Sequence, residues 1–140
     1  MFKQIQKLYR QGSRNFLLSF SPAIFFVLLI TFLSAIPGDR IDLPPIWNID
    51  KYLHMLVYFV QCLSIAVGYR LFYGENLPVS RMLSVSLFLS IAMGGLLEIF
   101  QEHVFMNRSG DYLDFLANSL GAIAAAFLSY VFLRSSENQN

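Results

Sequence analysis

Residues 16–36 read FLLSFSPAIFFVLLITFLSAI, an apolar run without one charged side chain. A helix needs roughly 20 residues to cross the hydrocarbon core of a bilayer, so this stretch predicts a transmembrane helix over Phe16–Ile36. The run is longer than the apolar core of a secretion signal, and Leu33-Ser34-Ala35 is a poor small-x-small cleavage site, so it reads as a retained helix. Three further blocks share the property: Lys51–Tyr73, Met82–Gln101 and Asp111–Leu133. Turn residues mark the short connections: Pro37-Gly38, Pro44-Pro45, Gly74-Glu75-Asn76 with Pro78, and Ser109-Gly110. The expectation is an all-α membrane protein, an antiparallel bundle of four transmembrane helices. That bundle occupies residues 16–134 as one domain, behind a basic interfacial segment at 1–15 and ahead of a polar tail at 135–140.

Composition agrees. Of 140 residues, 56% are apolar and 14% charged, against about 25% charged in a soluble domain. A formal net charge of +1, with basic residues spread along the chain, suggests no nucleic-acid partner. The single cysteine, Cys62, cannot form an internal disulfide. Basic residues also orient the chain, because they favour the cytoplasmic side of a membrane. Lys3, Lys7, Arg10, Arg14, Arg70, Arg81 and Arg134 fall on one side, and Arg40, Lys51 and Arg108 on the other. Both termini are therefore expected inside, with loops 37–50 and 102–110 outside, in a multi-pass protein of a bacterial cytoplasmic membrane. Residues 2–15 place Phe2, Ile5, Leu8 and Tyr9 on one side of a helix, as an interfacial segment on an anionic leaflet would.

Polar residues inside the apolar blocks are the candidates for function, since an ionisable group at mid-membrane costs about 2.5–3.5 kcal/mol and normally faces the bundle interior. On the second helix Asp50, His54, Tyr58 and Gln61 fit one arc of about 80°. Glu98 and Gln101 lie one turn apart on the third, with Gly94 one turn below. Asp111, Asp114, Asn118 and Gly121 share an arc of about 80° on the fourth, and Ala125 continues it. Counting about 1.5 Å of rise per residue puts His54, Glu98 and Asp114 together, roughly 5–8 Å below the outer helix ends. Tyr58, Gly94 and Asn118 form the next layer, then Gln61, Ser90 and Gly121. Asp50 and Asp111 also stand where N-caps belong. Lys51 and Arg40 can snorkel to head groups. Arg108 either neutralises Glu98 or Asp114 or grips an anionic ligand. His54 and Glu98, with Asp114, are the acid–base or metal-ligand candidates.

These residues also carry a resemblance. Asp50-Lys51-x-x-His54-x-x-x-Tyr58, then Glu98-x-x-Gln101, then Arg108-Ser109-Gly110-Asp111-x-x-Asp114-x-x-Ala117-Asn118-x-x-Gly121 resembles the VanZ-like family of bacterial membrane proteins. With Ser34 to Gly38 closing the first helix, the likeness covers about residues 34–130, and Ala125 departs from it where many members have glycine. The resemblance implies a phenotype, low-level resistance to the glycopeptide teicoplanin, and no established reaction.

Three functions follow. The first is a non-enzymatic envelope protein whose outer-face site binds, or alters the exposure of, a membrane lipid, a lipid-linked wall precursor or a lipoglycopeptide. Its binding residues would be Asp50, Lys51, His54, Tyr58, Glu98, Gln101, Arg108, Asp111, Asp114 and Asn118. The second is a membrane enzyme on a lipid-linked or phosphate-bearing substrate, with His54 or Glu98 as acid–base group and Arg108 or Lys51 stabilising anionic charge. No cofactor is expected beyond a metal, which His54, Glu98 and Asp114 could ligate, with His103 as a further candidate. The third is a small transporter or proton path, in which the chain could act as a homo-oligomer and for which no broken helix is evident.

Overall fold

The computed structural model describes residues 15–37, 49–105 and 109–137, with Gln4 and Lys7 ahead of them. Four long helices account for nearly all of these residues: α1 (Phe16–Ala35), α2 (Ile49–Tyr73), α3 (Val79–His103) and α4 (Tyr112–Glu137). Each contains a stretch long and apolar enough to cross a membrane. Most of the expected interfacial segment and of loop 37–50 lies outside the described residues, as do Arg40 and Arg108.

Helix α1 begins at Asn15, whose side-chain oxygen accepts from the Leu18 N–H at 3.1 Å. Pro22 then removes the N–H that would reach the Leu18 carbonyl. The Ser21 hydroxyl donates to that carbonyl instead, at 3.0 Å, so the helix runs through the proline with the freed acceptor satisfied, as lipid requires. Helix α2 ends in a tight 3₁₀ turn, Gly74–Asn76, where Gly74 has φ of 62°, a left-handed conformation that glycine takes without a Cβ clash.

The helices outrun their apolar blocks. Helix α2 starts at Ile49 instead of Lys51, and α3 runs Val79–His103 instead of Met82–Gln101, with Pro78 at its N-cap. Helix α4 starts at Tyr112, one residue later than expected, and takes in the first three residues of the expected polar tail. A helix stops where its backbone loses partners, whereas an apolar block stops where the chain leaves hydrocarbon.

The packing is inverted relative to a water-soluble bundle. Large apolar side chains face outward on every helix, among them Phe25, Leu28 and Phe32 on α1, Leu56 on α2, Phe88 and Leu96 on α3, and Leu120 and Phe127 on α4. A soluble monomer rarely exposes so continuous an apolar surface; a lipid-facing one does. Much of the interior is small or polar, with Cys62, Ala117, Ala122, Ala125, Ser86, Ser90 and Asn118 buried beside larger residues such as Ile30, Leu83 and Leu97. Small residues let backbones come together where lipid offers no hydrophobic drive between helices. At Gly121 the α4 backbone abuts the Met55 carbonyl of α2 so closely that a Cβ has no room. Helices α2, α3 and α4 form the central group, and α1 packs along α2 while meeting α3 only slightly. Its anchor is Phe20, seated at Gly68 and edge-on to Tyr69 at 5.1 Å.

Candidate functional site: a charged cluster beside an amphipathic cavity

The α2 and α4 N-termini stand side by side, and Lys51 ties them. Its ammonium donates to Asp111 at 2.6 Å and to Asp114, and lies 3.6 Å from Asp50. Snorkelling is thus replaced by an ion-paired node, because three carboxylates lie within reach of a cation that has left bulk water. Asp111 caps α4 as expected and also pairs with Lys51, which was not expected. One carboxylate oxygen accepts from the Leu113 N–H at 2.8 Å as a helix cap, and the other takes Lys51. That ammonium, seconded by the Leu113 N–H, holds the Asp111 carboxyl below its usual range. Asp50 differs from expectation: the helix already includes Ile49, so Asp50 sits in the first turn and not at the cap. Its carboxylate still meets the positive end of the helix dipole, and it faces His54 as well as Lys51.

His54 Nδ1 lies 3.0 Å from Asn118 Oδ1; an amide oxygen only accepts, so this bond has Nδ1–H as donor. Nε2 then faces one oxygen of Asp50 and one of Asp114, each at 3.7 Å. On α2 and α4 the expected layers are met: His54 faces Asp114, and Tyr58 and Asn118 both lie against the position of Gly94. Two diagonal contacts also join neighbouring layers, Lys51 with Asp114 and His54 with Asn118.

Glu98 reaches the same region from α3, but it is held by backbone. It accepts from the Asp111 N–H at 3.0 Å, while Glu102 accepts from the Gly110 N–H at 2.8 Å. Side chains of α3 thus bind the entry to α4. Consequently the atoms placed to hold a metal ion belong to Asp50, His54 and Asp114, which lie within 4.8 Å of one another, and not to the expected trio that included Glu98. The same carboxylates already share the Lys51 ammonium.

Beside this cluster lies a cavity of about 320 Å³ with two unlike walls. Asp50, His54, Tyr58, Glu98, Gln101 and Asn118 line one side, and Ile30, Leu33 and Ile36 of α1 the other, with Leu53, Val57 and Leu97 between. Tyr58 is 2% exposed and Gln101 4%. Both line the cavity, and neither has a hydrogen-bond partner among the described residues. Gly94 lets α3 pack closely behind this wall: a Cβ there would come within 3.3 Å of both the Tyr58 ring and Asn118. Deeper in the bundle, Gln61 is fully buried with neither amide atom hydrogen-bonded. Sequence reasoning missed the α1 wall, whose apolar residues look alike whether they face lipid or a cavity. The only hint was Ser34, which also lines it. No family model, no curated protein and no solved structure matches this chain.

Proposed function

We propose that this multi-pass membrane protein binds the polar end of an envelope amphiphile at the outer face of a bacterial cytoplasmic membrane, as a VanZ-like protein would. The ligand would be a membrane lipid, a lipid-linked wall precursor or a lipoglycopeptide, whose exposure at the surface the protein alters. One observation carries the reading: polar side chains of three helices and the apolar face of α1 line the same cavity. A soluble ligand would not need the apolar wall, and a purely structural network would leave no such space beside Tyr58 and Gln101. The orientation rests on the basic residues, which favour the cytoplasm for both termini.

The test is expression in a glycopeptide-susceptible bacterium. Wild-type protein should lower susceptibility to teicoplanin. Leu33→Trp, which fills the cavity from α1, and Glu98→Gln should lose the effect at equal membrane abundance. A wild-type chain without effect on any lipoglycopeptide, or variants as active as wild type, would overturn the proposal.

A second reading, a metal-dependent membrane enzyme, has the Asp50, His54 and Asp114 group in its favour. Lys51 weighs against it, since a divalent cation would have to displace an ammonium already paired with two of the three ligands. Equilibrium dialysis with zinc or manganese separates the readings. Stoichiometric binding by the wild-type protein would favour the enzyme; binding only by Lys51→Met would favour the amphiphile site.

A further inference from the structure

The cavity has a charge preference. Residues 39–54 and 98–114 hold seven of the nine acidic residues of the chain and three of the ten basic ones. Among the described residues, Asp50 and Glu98 bring carboxylates to the cavity lining, and no lysine or arginine lines it. Lys51, the described cation of this end, is shared by Asp111, Asp114 and, at 3.6 Å, Asp50, while Glu98 of the lining has no cation beside it among the described residues. An anionic head group would face these two carboxylates, and like charges repel. Tyr58 and Gln101 add a phenol and an amide to the same lining, on residues otherwise almost wholly buried.

We infer that the occupant carries a primary ammonium group, the polar end of an amine-headed amphiphile whose chain lies against the Ile30, Leu33 and Ile36 wall. This deepens the proposed function and rests on it. A primary ammonium supplies a charge for Asp50 and Glu98 and three N–H donors, enough to reach a carboxylate, the Tyr58 oxygen and the Gln101 carbonyl together. A trimethylated amine keeps the charge and loses the donors. A phosphoglycerol head has donors and the wrong charge. The volume, about 320 Å³, lies at the lower end of ligand sites, which run from about 300 to 1,000 Å³; it suits a head group and the first methylenes of a chain. The chain would leave between α1 and α3, the loosely packed seam of the bundle.

The test uses the full chain in detergent, offered equal amounts of phosphatidylethanolamine, phosphatidylcholine and phosphatidylglycerol with identical acyl chains. Native mass spectrometry reads which lipid stays bound. Phosphatidylethanolamine should be retained over the other two by about tenfold or more, the equivalent of one charge-assisted hydrogen bond. Asp50→Asn and Glu98→Gln should each reduce that preference, and Leu33→Trp should remove retention of all three. Glu98 also holds the start of α4, so Asp50→Asn carries the test if Glu98→Gln unfolds. Retention without preference for the amine, or in favour of the anionic lipid, overturns this inference and leaves the amphiphile site standing. Failure of the folded protein to retain any lipid overturns the site itself. Free ethanolamine competing as well as the lipid would show a soluble amine to be the ligand, which also overturns the inference.

Discussion

Lys51 meets three carboxylates, Asp50, Asp111 and Asp114, and these neighbours decide what its loss would do. Asp114 keeps 12% of its side-chain surface exposed, against 40% for Asp111. Removing the ammonium therefore strands one nearly buried carboxylate and one that water can still reach. Lys51→Met should cost about 2–3 kcal/mol in unfolding free energy, less than the roughly 3–5 kcal/mol of a fully buried pair. Adding Asp114→Asn should recover part of that loss, because the second change removes the stranded charge; strictly additive costs would mean the pair is not coupled. The same ammonium sets an acid limb. Asp111 has a folded pKa below its unfolded one, so its contribution is complete above the unfolded value, about 3.9, and is lost as pH falls through the lowered folded value. Unfolding measured against pH should show this limb in the wild type and a weaker one in Asp111→Asn. Asn118, 1% exposed and bonded to His54, belongs to the same scale. Asn118→Leu should cost about 1 kcal/mol, near the upper range of interhelical bonds in membranes, and a stabilising result would contradict the bond.

Between helices, the glycines separate two kinds of contact that look identical in the sequence. Gly121 faces backbone, the Met55 carbonyl, which cannot step aside without moving α2. Gly95 would place a Cβ 3.4 Å from the Phe115 ring, an ordinary contact. Gly121→Ala should therefore cost about 1–3 kcal/mol or more as overpacking, whereas Gly95→Ala should be neutral or gain up to about 1 kcal/mol of helix propensity. Thermal unfolding of the two variants in the same detergent checks this, and equal effects would place the α2–α4 crossing elsewhere. Helix α1 is the element with fewest neighbours, held to α2 through Phe20 at Gly68 and through Tyr69 and Phe72. A second grip lies at the cavity, where Ile30, 4% exposed, packs with Tyr58 and Leu97.

For the whole molecule, four spans put both termini on one side of the membrane, and the basic residues favour the cytoplasm for that side. A reporter active only inside the cell, fused after Asn140, should give signal, and one inserted in the 102–110 loop should be silent. The reverse pattern would turn the charged cluster and its cavity to the inner face and remove the envelope ligand from reach.

How the two levels of description divide follows from what each can encode. The four helices and the lipid-facing character of their surfaces were legible in the apolar blocks, since the chain must satisfy its own backbone wherever water is absent. The polar stripes were legible as well, because helical periodicity alone places Asp50, His54 and Tyr58 on one face, and Asp111, Asp114 and Asn118 on another. Three things were not. The partners of Lys51 are Asp111 and Asp114, which lie 60 and 63 positions away along the chain. Glu98 was taken from the expected metal trio by a backbone N–H that exists only once α4 begins beside α3. The apolar wall of the cavity came from α1, whose side chains are equally suited to lipid and to an interior. Local pattern states which face of a helix is polar, and only the packed bundle decides which neighbour that face meets, because register is set by contacts between distant parts of the chain.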